Sequence, residues 1–110
     1  MKRLKIFLVF AMVSIGSSTY AHEKTDTIKV NGGNCETCKL QIEKVAKVNG
    51  VTKVEWSAKT KLLIVSYNSH EIRNIDIQKK VAEAGYDTEK ELATDEAYNK
   101  LDACCKYRKK

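Results

Sequence analysis

Cys35 and Cys38 stand in the run Val30-Asn31-Gly32-Gly33-Asn34-Cys35-Glu36-Thr37-Cys38-Lys39, and an adjacent pair, Cys104-Cys105, stands near the other end of the chain. The first pair follows a short extended stretch and a glycine-rich turn, at the point where a helix is expected to open. A helix N-terminus stabilises thiolate, and thiolate is the metal-binding and nucleophilic form of cysteine. Two thiolates on one loop offer a shallow site for a soft ion that accepts two sulfurs, such as Cu(I) or Hg(II). Zn(II) asks for four ligands in a tetrahedron. The same pair could instead do thiol–disulfide exchange, or close a local disulfide that doubles as the oxidised empty state. Thioredoxin-type folds place a cis-proline beside such a motif, and this chain has no proline.

Cys104 and Cys105 have several readings. They could supply a third and fourth sulfur to a metal held by Cys35 and Cys38, which would tighten binding and favour sequestration over hand-off. They could also form a vicinal disulfide, or a surface pair used by a partner. Adjacent residues seldom aim at one ion without backbone strain. Lys39 could balance the charge of a bis-thiolate complex or be solvated. His22 could chelate Cu(II) with a free amino group, or be a solvated terminus; His70 falls in a loop and reads as a surface residue.

The elements that must position these groups are legible in the hydrophobic pattern. Asp26–Val30 alternates as a first strand. A helix over 35–48 places Ile42, Val45, Ala46 and Cys38 on one face and ends at Asn49-Gly50. Val51–Ser57 and Lys61–Tyr67 are a hairpin joined by Ala58-Lys59-Thr60, with Trp56 and Tyr67 in the core. A second helix over 75–84 turns Ile77, Val81 and Ala84 inward and stops at Gly85; residues 86–90 are expected as a fourth, edge strand. The order β-α-β-β-α-β in one short domain is the α+β ferredoxin-like plan, an antiparallel sheet with two helices on one face. The third strand is apolar on both sides, so Leu62 and Ile64 are left on an open sheet face that the tail or a partner should cover. In the tail, Thr94-Asp95-Glu96 reads as a cap and first turn, with Ala97, Tyr98 and Leu101 as an apolar stripe.

Residues 1–21 read as a secretory signal: Lys2, Arg3 and Lys5, an apolar run from Ile6 to Ile15, then small residues up to a cleavage point after Ala21. That run is short for a permanent membrane anchor. Removing it takes three of the 20 basic residues and none of the 14 acidic ones, leaving +3. The remaining charge is interspersed, which argues against nucleic acid. Lys106, Arg108, Lys109 and Lys110 are expected as a frayed, solvated end. The expected organisation is therefore a signal peptide at 1–21, a domain at 22–90 and an extension carrying the Cys-Cys pair at 91–110.

Gly32-Gly33-Asn34-Cys35-Glu36-Thr37-Cys38, with Gly50-Val51, Val54 and Ala84-Gly85-Tyr86 in register, resembles the heavy-metal-associated domain over about residues 26–90. That family includes copper chaperones, modules of copper-transporting ATPases and the periplasmic mercuric-ion binding protein. The resemblance implies that Cys35 and Cys38 are the metal ligands and that Tyr86 lies near the site, shielding the metal or capping the second helix. It implies partners that accept metal through thiols, such as a metal-transporting membrane protein. Two departures stand out. Gly33 replaces the family's usual Met, whose loss leaves space and loosens the metal loop, and residues 91–110 lie outside the usual domain.

The expectation is an exported, periplasmic, non-enzymatic protein that binds one Cu(I) or Hg(II) and transfers or sequesters it by thiolate exchange. It is expected as a monomer, with a metal-bridged dimer as the variant of that state. A periplasmic thiol–disulfide oxidoreductase and an interaction module using the open sheet face are the alternatives.

Overall fold

The computed structural model describes residues 23–108. The expected signal at 1–21, His22, Lys109 and Lys110 lie outside the described residues. The elements run β1 (Glu23–Lys29), α1 (Glu36–Ala46), β2 (Val51–Ser57), β3 (Leu62–Asn68), α2 (Asn74–Glu83) and α3 (Asp95–Asn99), followed by a single 3-10 turn at Ala103–Cys105. The sheet is antiparallel with order β1-β3-β2, so the last strand of the hairpin is its centre. Ile28 and Trp56 both sit opposite Leu63, and Val54 opposite Val65. This register puts one apolar row under the helices.

The core joins that row to the helices. Ile28, Trp56, Leu63, Val65 and Tyr67 from the sheet are buried with Cys38, Ile42 and Ala46 of α1 and Ile77 and Val81 of α2. Val45, expected on the same stripe, packs at its margin. This is the α+β ferredoxin-like fold, with a three-stranded sheet.

The expected fourth strand is reduced to a single bridge between Val30 and Thr88. The segment turns instead of extending. The Thr88 amide donates to Glu91 O at 2.7 Å, and the Glu91 amide donates to Thr88 Oγ1 at 2.9 Å. The buried Gln78 side chain takes the place of a ladder: its Oε1 accepts from Thr88 Oγ1 at 2.7 Å and from the Lys90 amide at 2.9 Å. A side chain on α2 thus satisfies the Lys90 amide, a group that a strand would have paired.

The tail runs elsewhere than expected. Leu62 and Ile64 stay 37 % and 47 % exposed, so no described residue covers the open sheet face. The tail lies on the sulfur end, and Tyr98, Leu101 and Cys105 belong to the same buried cluster as the sheet and helices. Thr94 caps α3 as expected, its hydroxyl accepting from the Ala97 amide at 3.0 Å. Gly85 ends α2 at φ +112, and a Cβ there would meet Ala97 O and Leu101 at 2.9 Å. The glycine both permits the turn and seats the tail.

Candidate metal centre

The loop between β1 and α1 is held rigidly before any cysteine is considered. Trp56 Nε1 donates to Val30 O at 3.0 Å. Lys61, at φ 62, reaches over from the hairpin and donates through Nζ to Gly32 O at 2.7 Å and Asn34 Oδ1 at 2.9 Å. The Asn31 amide donates to Asp87 O at 2.9 Å. These bonds place Cys35 at the N-cap of α1, its side chain making no capping bond, and Cys38 in the first turn pointing into the core.

Across this loop lies the tail. Cys35 is disulfide-bonded to Cys104, and Cys38 to Cys105, with Cα separations of 6.0 and 5.4 Å. Neither a local Cys35–Cys38 bond nor a vicinal Cys104–Cys105 bond is formed, because the 3-10 turn aims both tail sulfurs at the loop. Cys35 Sγ also lies 3.0 Å from Cys38 Sγ and 3.7 Å from Cys105 Sγ. All four sulfurs fall within 4.8 Å of one another.

Gly33 makes this approach possible. A Cβ at this position would lie 1.9 Å from Cys104 O and 2.8 Å from Cys105 Cα. The expected loosening of the loop is therefore corrected: the space left by the missing methionine side chain is occupied by the tail backbone. The tail is also fastened independently of sulfur. Tyr107 OH donates to Gly85 O at 2.8 Å and accepts from the Asp87 amide at 2.7 Å. Arg108 pairs with Asp87 at 2.9 Å and Asp95 at 2.9 Å, and donates to Ala93 O at 2.7 Å. Its guanidinium lies 4.6 Å over the Tyr98 ring, and Tyr98 meets Tyr107 edge to face at 5.0 Å. Arg108 is thus a fastener, not part of a frayed end. Burial pushes the Tyr107 phenol up to about 12, so it stays protonated and able to donate.

The remaining expected site residues divide. Tyr86 is fully buried, donates to Gln41 Oε1 at 2.5 Å and stacks at 6.3 Å on Tyr107, with burial raising its phenol to about 12. It links the segment after α2 to α1 and to the tail. Lys39 is paired with Glu43, whose carboxylate holds its ammonium above the ordinary lysine value. That carboxylate also accepts from the Trp56 amide at 2.9 Å, so Lys39 serves the α1–β2 junction. His70 is exposed and remote in sequence from the sulfur elements. The sequence reading missed Lys61, Asp87, Tyr107 and Arg108. A tyrosine–arginine pair two and three residues beyond the last cysteine, half-buried in the fold, was the available signal. Cys35 and Cys104 open on a cleft of ≈ 850 Å³ that Lys61 and Lys106 also line.

Among the described residues no helix is long and apolar enough to cross a membrane. Residues 27–87 match the heavy-metal-associated domain. The mercuric transport protein periplasmic component of Shewanella putrefaciens is 34 % identical over 87 residues, covering 78 % of this chain and 93 % of that protein. The copper chaperone CopZ of Staphylococcus epidermidis is 34 % identical over 61 residues, covering 54 % of this chain and 90 % of that protein. The crystal structure of oxidized MerP from Ralstonia metallidurans CH34 superposes with a TM-score of 0.57 at 29 % identity, covering 61 % of this chain and 94 % of that one. With this fold and a Cys-x-x-Cys loop opening α1, the chain belongs to the heavy-metal-associated domain family, a family of metal-binding domains whose own role is not enzymatic.

Proposed function

We propose that the protein is an exported, periplasmic soft-metal carrier that takes up Cu(I) or Hg(II) through Cys35 and Cys38 and holds it until an acceptor removes it. The observation that carries this reading is the convergence of the two sulfurs, 3.0 Å apart, on a loop clamped by Lys61, Trp56 and Asp87. Thiolates suit soft ions, and a two-sulfur site accepts an ion that prefers low coordination. The likeness to a periplasmic component of mercuric transport and to a copper chaperone supports both the cargo class and the compartment.

Loading requires the four cysteines in the reduced state, since a disulfide sulfur is not a thiolate ligand. Release proceeds by exchange: an incoming thiolate adds to the ion before a resident sulfur leaves. The acceptor is a thiol-bearing protein, such as a metal-transporting membrane protein. The tail lies where a second molecule would have to approach, so the carrier works as a monomer and favours holding over rapid hand-off. The organisation that goes with this reading is a removed signal at 1–21, a domain at 22–90 and a tail at 91–110 that completes it.

The test is anaerobic titration of the fully reduced protein with Cu(I) and with Hg(II) against a competing chelator. One ion per chain, lost in Cys35→Ser/Cys38→Ser, is expected. Failure to bind either ion overturns the reading, and catalytic reduction of insulin disulfides would replace it with thiol–disulfide exchange.

A further inference from the structure

We infer that the tail converts the two-sulfur loop into a four-thiolate site for a tetrahedral d¹⁰ dication, Zn(II) or Cd(II), through Cys35, Cys38, Cys104 and Cys105. The inference rests on the proposed metal-binding reading and extends it to a class of ion that two sulfurs alone would hold poorly.

Three observations carry it. The first is spacing. Four sulfurs about 2.3 Å from a central ion lie about 3.8 Å from each other. The two non-bonded separations measured at Cys35 are 3.0 and 3.7 Å, and the whole set fits within 4.8 Å. Opening both disulfides needs only a small outward shift to reach a tetrahedron. The second is that the tail does not depend on sulfur for its position. Tyr107 and Arg108 tie its end to Gly85 and Asp87 of the domain and to its own start at Ala93 and Asp95, and Gly33 leaves the room in which its backbone lies. Reduction therefore leaves Cys104 and Cys105 beside the loop.

The third is burial. Cys38 and Cys105 are both 0 % exposed. Thiolates there have no water to solvate them and need a cation or a proton. An ion taking two sulfurs leaves Cys105 as an unused buried thiol, whereas an ion taking four uses every sulfur. Four thiolates and one dication leave a charge of about −2 by simple counting, and Lys61 and Lys106 line the cleft onto which Cys35 and Cys104 open. No electron moves in this step; two-electron reduction of each disulfide by an external dithiol precedes it, and the bound ion displaces the thiol protons.

The experiment uses the reduced full chain under anaerobic conditions, titrated with Cd(II) and with Co(II) as a spectroscopic stand-in, alongside Cys104→Ser/Cys105→Ser. The unmodified protein is expected to show one ion per chain, sulfur-to-metal charge transfer of an intensity that reports four thiolates, and the visible bands of tetrahedral cobalt. The double variant is expected to lose about a hundredfold or more in Cd(II) affinity while still binding one Hg(II) through Cys35 and Cys38. A two-thiolate count in the unmodified protein, or equal Cd(II) affinity in both, overturns the inference. The thiolate count needs no variant, so a misfolded double variant leaves the test intact. Loss of Hg(II) and Cu(I) binding in the unmodified protein would instead overturn the reading on which the inference rests.

Discussion

The outer and inner cysteine pairs join the same two segments yet live in different surroundings. Cys104 is exposed and Cys35 half-buried, and both face the open cleft. Cys38 and Cys105 are sealed in the core cluster with Ile42 and Trp56. Both pairs have the same covalent chemistry, so access and dielectric must separate them. An incoming thiol or chelator meets the outer pair first, and the inner pair responds only when the tail shifts. The fold thereby gives one cluster a reactive edge and a protected floor.

That contrast can be broken in three ways. The largest effect is expected in partial reduction followed by alkylation and mass spectrometry. Cys35 and Cys104 should be labelled on the order of tenfold or more faster than Cys38 and Cys105. Equal labelling would mean that burial does not protect the inner pair.

A smaller effect is expected from Gly33→Met, which restores the family's usual residue. A side chain there collides with Cys104 O, and overpacking of this kind costs about 1–3 kcal/mol. Denaturant unfolding should register that loss, and the labelling gap should narrow as the tail lifts. Unchanged stability together with an unchanged gap would show that the tail does not need the glycine.

The smallest effect lies at the far end of the sheet. The Tyr67 hydroxyl donates to Asp26 at 2.6 Å and Asn74 Nδ2 donates to it at 2.9 Å, and together they hold the carboxyl below its ordinary value of 3.8. A depressed carboxyl contributes stability that is present above the unfolded value and is lost as pH falls through the folded one. Acid unfolding should therefore be less steep in Asp26→Asn below about pH 4, with the labelling gap at neutral pH unaltered. A change in that gap would mean that the two ends of the molecule are coupled.

The parts of the molecule built from short-range pattern were legible in the sequence. Val51–Ser57 forms a strand with the expected bounds, and the helices shift by only a residue or two at most ends. Alternation and helical stripes are local signals, so Trp56, Leu63, Ile42 and Val81 could be placed in the core before the fold was known. The fourth strand failed because Gln78, far off in the pattern, satisfies Thr88 and Lys90. The tail's route was illegible for the same reason. It depends on Arg108 finding Asp87 and on a space at Gly33 whose occupant lies some seventy residues away. The missing methionine was visible, but one sequence carries no sign of what fills a vacated volume.

The cross-links close the chain on itself over 69 and 67 residues. In a chain-entropy description, a first bond of that span stabilises the fold by about 4 kcal/mol, because it shrinks the unfolded ensemble. A second bond beside it adds little, since the ends it joins are already neighbours. Opening the outer bond alone therefore costs the fold little, and the stabilisation is lost only when the inner bond opens as well. The molecule stripped of both bonds is the form most open to proteolysis.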